Sequence, residues 1–226
     1  MSRGKSTNNL RRSSKNQESR SYFLIVVEGE KTEYNYFNSL ISELKLTAIK
    51  IKVASASGGD PLVIVNTAYK LFAEKQKQSE RGGELKYDQV FCIFDDDNKP
   101  EKYQKALSTV KEHNFESITS IPCFEFWFLL HYCYTTSPFT SYKELSPKLE
   151  TEMRKEGIHK QEETYNKSDK LLYEKLKPAQ TKAINHAIKL AQKNPNEDGC
   201  TKPSTKVYIL IDKLKKQKNF ELAVID

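Results

Sequence analysis

Acidic side chains follow two apolar runs that have the length of buried β-strands. Glu28 follows the run at 22–27, and Asp95 and Asp97 follow the run at 89–94. In an open parallel sheet, reactive groups collect beyond the carboxyl ends of the strands, so we expect these carboxylates to meet. Alternate residues of an extended chain share a face, so Asp95 and Asp97 would converge while Asp96 points elsewhere.

A cluster of this kind predicts metal chemistry. Neighbouring carboxylates raise one another's pKa, and burial adds to the effect, so a cation must offset the charge. Hard oxygen ligands suit Mg²⁺ or Mn²⁺, which keep several waters and bind substrate phosphates through their open positions. The sequence therefore predicts metal-assisted attack on a phosphodiester at Glu28, Asp95 and Asp97. The alternative for 95–97 is an acidic turn that caps the helix opening at Pro100.

Four further residues are candidates for the same site. Glu125 lies inside the apolar run at 124–130, where a carboxylate needs a partner, and it is a candidate catalytic residue and metal ligand. Its alternative role is to complement a helix dipole. Lys31, Lys99 and His131 are candidates for contacting substrate phosphate. Their alternatives are ordinary surface lysines and a histidine that is hydrogen-bonded within the fold.

The pattern of elements predicts an α/β fold with a mainly parallel sheet flanked by helices. Residues 22–27, 48–53, 89–94 and 117–121 have strand patterns, and the segments between them show helical periodicity. A polar segment at 75–86 indicates a loop. After residue 134, helical patterns occupy 171–177, 179–193 and 204–218, which predicts an α-helical C-terminal part.

We expect three regions along the chain. Residues 1–20 are rich in Ser, Asn and Arg and carry too little apolar surface to order themselves, so they form a disordered basic tail. Residues 21–135 contain the alternating strands and helices and form the catalytic domain. Residues 136–226 form the α-helical C-terminal region.

Charge is distributed unevenly over the 226 residues, whose formal net charge is +7. The first 20 residues hold six basic side chains and one acidic one, residues 21–142 hold 13 and 16, and residues 143–226 hold 18 and 13. An acidic half beside a basic half suits a carboxylate site that handles a nucleic acid brought in by lysines. A solvated lysine-rich helical face is the alternative explanation.

Other features limit the classes of protein to which the chain belongs. The sequence has no run of about 18 apolar residues and no apolar segment after its basic start, so we expect a cytoplasmic protein without membrane spans. The four cysteines form no CxxC pair, which favours buried thiols over a metal or disulfide framework. No GxxxxGK[ST] motif is present, so any ATP dependence would come from a partner. Oligomeric state is not readable from the sequence.

Three motifs resemble those of the RloB-like family, the second component of AbiL systems and a Toprim-related group associated with bacterial phage defence. They are VEGEKTE at 27–33, FDDD at 94–97 and PCFEFW at 122–127, the last followed by His131. The likeness recurs weakly in KPST at 202–205. The first and third motifs are specific together, whereas either alone is only moderately so.

The resemblance implies a Toprim fold and nuclease activity, by analogy with the overcoming-lysogenization-defect nucleases. By position, Glu28 is the acid/base or metal ligand, and Asp95 and Asp97 are the pair that binds divalent metal. Glu125 matches the family's later acid, a candidate ligand for the same or a second ion. Asp96 stands where the family often has a basic residue, which leaves open which two aspartates bind metal.

The family also implies an ABC-type ATPase partner encoded alongside, and a role in abortive phage defence. The substrate would be DNA or RNA, including tRNA. One alternative is a haloacid-dehalogenase-type phosphatase, which also carries a D-x-D pair after a buried strand, although Asn98 replaces that family's Thr or Val. Another alternative is a non-catalytic subunit that binds nucleic acid or a partner protein.

Overall fold

The strands form one sheet. The structure, a computed structural model, describes residues 22–53, 60–82, 85–96, 99–158, 160, 163–193 and 202–223, so the expected tail at 1–20, Asp97 and Asn98 lie outside the described residues. The strands are β1 (Phe23–Val27), β2 (Ile49–Val53), β3 (Gln89–Asp95), β4 (Glu116–Ile121) and β5 (Ser204–Thr205). Their order is β2-β1-β3-β4-β5. The first four are parallel, and β5 runs antiparallel to β4.

Helices connect the parallel strands and make up the C-terminal part. They are α1 (Thr32–Leu44), α2 (Pro61–Glu80), α3 (Pro100–Glu112), α4 (Glu125–Tyr132), α5 (Tyr142–Lys155), α6 (Leu172–Leu176), α7 (Gln180–Lys193) and α8 (Val207–Ala223). A 3-10 turn, Lys177–Ala179, joins α6 to α7. The predicted α/β fold with its parallel sheet, flanking helices and helical C-terminal part is confirmed.

The two faces of the sheet are buried under different helices. Leu24 and Val26 of β1 pack with the inward residues of α2 and α3. Phe23, Ile25 and Val27 point to the opposite face and pack with α1 and the C-terminal helices. Because side chains alternate along a strand, burial on both faces requires the continuous apolar run that the sequence shows.

The C-terminal helices are part of one core with the sheet. Trp127 and Phe128 of α4 are fully buried, and they share an apolar cluster with Leu145 of α5, Ala187 of α7 and Leu210 of α8. This packing places the C-terminal part on the same side of the sheet as α1. Among the described residues, none of the helices combines the length and apolar character that a membrane crossing requires.

The structure corrects three expectations about the elements. Residues 75–80, expected in a loop, continue α2 to Glu80, because polar residues are tolerated on the solvent side of a helix. The helix α5 was not predicted. The helix expected to start at Ser204 begins at Val207, because Ser204 and Thr205 form β5, where Thr205 Oγ1 lies 2.9 Å from Ser120 Oγ.

Candidate active site

Acidic residues from three parts of the chain line one cleft at the carboxyl edge of the sheet. Glu28 directly follows β1, Asp95 is the last residue of β3, and Glu125 begins α4, four residues after β4 ends. The neighbouring strands are parallel, so these positions lie at the same edge. The cleft has a volume of about 520 Å³, and its lining includes Glu28, Lys31, Glu33, Asp95, Glu125 and Lys167.

Asp95 is held by the motif that follows β4. Its Oδ2 accepts a hydrogen bond of 3.0 Å from the backbone N–H of Phe124. Burial raises the pKa of Asp95 well above its usual range, and the charges of Glu33, Glu125 and Glu28 raise it further. The carboxyl is thus fixed in place while its negative charge is disfavoured, which is the state that a bound cation would relieve.

Glu33 is a cleft residue that we did not propose from the sequence. It lies in the first turn of α1, where the helix dipole favours a negative charge. Burial raises its pKa to about 7, with further contributions from Glu125 and Glu28. A Cβ at Gly29 would lie 3.0 Å from Glu33 Oε2, so glycine makes room for this carboxylate. Its place in the VEGEKTE motif was the available signal.

Glu125 is the most deeply buried carboxylate of the cleft, at 2% exposure. Lys167 Nζ lies 3.0 Å from its Oε1. The pair is an ion pair by distance only, since Oε1 has no partner with hydrogen-bond geometry among the described residues. Glu125 therefore lines the cleft with one ammonium beside its buried Oε1.

The C-terminal part supplies Lys167 and Tyr142 to the cleft. The ammonium of Lys167 lies 4.1 Å from the centroid of the Tyr142 ring, a cation–π distance. Burial opposes the charge of Lys167, but the attraction of Glu125 outweighs it and raises the lysine's pKa. No sequence signal distinguished this lysine from the many others in the basic half.

The three candidate phosphate-contacting residues lie in different places. Lys31 is exposed and lines the cleft. Lys99 precedes α3, where its backbone N–H donates to Asp96 O at 2.8 Å, and it is not among the described cleft residues. His131 is buried at 1% exposure, with Nδ1 3.0 Å from Trp127 O, and burial lowers its pKa to about 4. His131 therefore lies in the core rather than at the cleft surface.

Asp96 turns away from the cleft, as expected for a residue that alternates with Asp95. It is buried at 7% exposure, and its Oδ2 lies 3.0 Å from Lys202 Nζ. Lys202 opens the KPST stretch, whose last two residues form β5. Two successive aspartates therefore hold the end of β3. Asp95 bonds to the residue before α4, and Asp96 pairs with the segment before α8.

The cleft residues suit a hard divalent cation in donor chemistry. All the acidic donors are carboxylate oxygens, and the buried Glu125 Oε1 lacks a hydrogen-bond partner among the described residues. No set of three or more Asp, Glu, His or Cys side chains in the described part of the chain is arranged to hold one ion. Mg²⁺ commonly binds through one or two carboxylates, with waters and substrate phosphates completing its shell.

The fold and the cleft define an α/β protein with an acidic site at the carboxyl edge of a parallel sheet. Comparison with known families then identifies the group. The chain belongs to the RloB-like protein family, whose model matches residues 23–214, so the match includes all three motifs as well as Lys167 and Lys202. No curated protein and no solved structure matches the chain significantly.

Proposed function

We propose that this protein is a divalent-metal-dependent nuclease of the Toprim type that hydrolyses phosphodiester bonds in DNA or RNA, including tRNA. The observation that carries the proposal is the convergence of Glu28, Asp95 and Glu125 on one cleft. These residues are distant in the sequence, and burying like charges together is unfavourable without a cation. A purely structural role does not account for collecting them at the edge where α/β proteins bind ligands.

The proposed metal ligands are Glu28, Asp95 and Glu125, with Asp97 as a fourth candidate outside the described residues. When bound, Mg²⁺ or Mn²⁺ supplies polarisation of a phosphoryl oxygen and activation of water. The backbone N–H of Phe124 holds one oxygen of Asp95, which is itself a lining residue of the cleft. Lys31 and Lys167 supply positive charge that attracts the phosphate backbone to an otherwise acidic cleft.

The biological setting is proposed from the family. RloB-like proteins are associated with phage defence, so we propose that this chain is the effector of an abortive-infection system with an ABC-type ATPase partner encoded alongside. The sequence contains no GxxxxGK[ST] motif, which agrees with ATP being handled by another chain. A toxic nuclease must be restrained until infection, so assays need both the isolated chain and the chain with its partner.

A non-catalytic binding subunit is the second candidate. The observation that favours it is the lack of a three-ligand metal arrangement among the described residues. In that case the acidic cleft would bind a basic surface of a partner protein. Divalent cations would then have little effect on the chain, or would only stabilise its fold.

The test is metal-dependent cleavage by the full chain, with and without the ATPase, on DNA, RNA and tRNA. We expect Glu28→Gln and Asp95→Asn to lower the cleavage rate on the order of 10²-fold. Glu101→Gln, which changes an exposed acid in the first turn of α3, is the matched control and should cleave normally. Cleavage that survives both cleft variants, or metal binding without cleavage in the presence of the ATPase, contradicts the nuclease proposal.

A further inference from the structure

Lys167 lies beside Glu125, the most deeply buried carboxylate of the cleft. Its ammonium lies 3.0 Å from the buried Glu125 Oε1, an oxygen without a hydrogen-bond partner among the described residues. The Lys167 side chain is 48% exposed, whereas that of Glu125 is 3% exposed. A half-exposed ammonium therefore neutralises a carboxylate that is fixed in the interior.

The segment around Lys167 is held independently of this ion pair. Asn166 Oδ1 accepts from the backbone N–H of Ser168 at 2.9 Å, and Asp169 pairs with Lys175 at 2.8 Å. The ammonium of Lys167 also keeps the Tyr142 ring as a second contact, at 4.1 Å from its centroid. The side chain can thus release Glu125 without unfolding the turn that carries it.

A divalent cation and this ammonium compete for the same carboxylate. Two cations that each contact one oxygen at about 2–3 Å repel each other strongly in a partly buried site, where screening is weak. The carboxylates Glu28, Glu33 and Asp95 lie around the same cleft and add to the attraction for the ion of higher charge. Uptake of the divalent ion is therefore favoured when the ammonium moves away.

We propose that Lys167 is the built-in counter-ion of Glu125 and that a divalent cation entering the cleft displaces its ammonium toward the Tyr142 ring. The identity of the entering ion rests on the proposed function. The exchange regulates the site because the lysine neutralises Glu125 in the metal-free cleft and opposes binding of the ion. It also frees a positive charge for substrate phosphate only after the ion has bound.

The first test measures Mn²⁺ binding to the full chain by isothermal titration calorimetry. Lys167→Gln removes the ammonium, and we expect it to lower the Kd for Mn²⁺ by about fivefold or more, since coupled sites typically differ by 5–150-fold. Lys167→Arg keeps the charge and should bind like the wild type. Lys170→Gln removes the same charge from an exposed position three residues away and should leave the Kd unchanged.

The second test follows the wild-type ammonium directly. Pulse acylation of lysine amines, read by mass spectrometry, should modify Lys167 more after Mn²⁺ is added. Modification of Lys170 should stay constant. Matched ionic strength in both samples removes simple screening as a cause.

The outcomes separate this inference from the nuclease proposal. An unchanged or higher Kd in Lys167→Gln, an equal gain in Lys170→Gln, or acylation of Lys167 that ignores Mn²⁺ overturns the exchange. Absence of Mn²⁺ uptake by both wild type and Lys167→Gln overturns it as well. Tighter Mn²⁺ binding by Lys167→Gln with no cleavage of any nucleic acid, ATPase included, leaves the exchange standing and removes only the nuclease.

Discussion

The backbone N–H of Phe124 donates a 3.0 Å hydrogen bond to Asp95 Oδ2. This bond joins the end of β3 to the start of α4, although the two residues are 29 positions apart in the chain. It also connects two of the three family motifs, FDDD and PCFEFW. The acidic cleft therefore forms where these two motifs contact each other. Variants of the residues on either side of this contact test its role.

Removing the charge of Asp95 should stabilise the metal-free protein. Burial raises the pKa of Asp95 in the folded protein, and the charges of Glu33, Glu125 and Glu28 raise it further. The protonated carboxyl is therefore compatible with the fold below about pH 4. As pH rises, the unfolded chain loses this proton more readily than the folded protein, and the fold is destabilised. In EDTA at pH 8, Asp95→Asn should raise the free energy of unfolding by about 1–3 kcal/mol in urea titrations. The gain should shrink toward pH 4.

Asp212→Asn is the control for this prediction, because Asp212 is exposed and pairs with Lys216 on the surface of α8. It should change stability by less than about 0.5 kcal/mol. A loss of stability in Asp95→Asn at pH 8 would show that the ionised carboxylate supports the metal-free fold.

The Asp96–Lys202 pair should be a structural anchor. Lys202→Met leaves the buried Asp96 without this ammonium and should lower the free energy of unfolding by about 1–2 kcal/mol. This loss is smaller than that expected for a fully buried ion pair, because Lys202 is partly exposed. Lys216→Met removes a solvent-exposed partner and should cost less than about 0.5 kcal/mol. A double-mutant cycle with Asp96→Asn measures the coupling, and a coupling near zero contradicts the anchor.

His131 should make the protein sensitive to mild acid. Burial lowers its folded pKa from 6.5 to about 4, so it stays neutral in the fold while the unfolded chain takes up a proton. Its contribution is complete above about pH 6.5 and is lost as pH falls to about 4, a difference on the order of 3 kcal/mol. Stability measured against pH should therefore fall less steeply in His131→Gln, whatever its absolute stability. Parallel pH curves would contradict this assignment.

Lys31 and Lys99 should differ as nucleic-acid contacts because only Lys31 is a described residue of the cleft. In an Asp95→Asn background without added divalent metal, chosen to minimise any cleavage, Lys31→Gln should weaken binding of single-stranded DNA or RNA. It should also reduce the salt slope by about one. Lys99→Gln should leave the slope unchanged. Fluorescence anisotropy at several salt concentrations makes the comparison, and equal effects would place the nucleic acid outside the cleft.

Much of the fold could be predicted because its cause is local. Runs such as 22–27 and 89–94 are apolar throughout, since both faces of those strands are covered, and the helices between them show clear periodicity. The helix α5 escaped prediction because its burial is limited to one narrow side, with Leu145 and Leu149 inward among many charged residues. β5 escaped because two residues form a strand only when β4 is there to pair with them.

The position of the candidate site was predictable only in part. Glu28, Asp95 and Glu125 were proposed because each follows a strand in a recognisable motif, and all three line one cleft. Their roles as metal ligands, like that of Asp97, remain predictions. Lys167 could not be predicted, because nothing in the sequence of a basic segment indicates which lysine contacts a carboxylate 42 positions away in the chain.

The sequence by itself determined the family, the alternation of buried strands with helices, and which acids stand at strand ends. These properties depend on neighbours in the chain, and so composition and spacing reveal them. Only the tertiary structure decided that Asp96 meets Lys202, that Lys167 meets Glu125, and that His131 lies inside the core. Such pairings arise from packing between elements distant along the chain, where burial and charge act through space and not through sequence order.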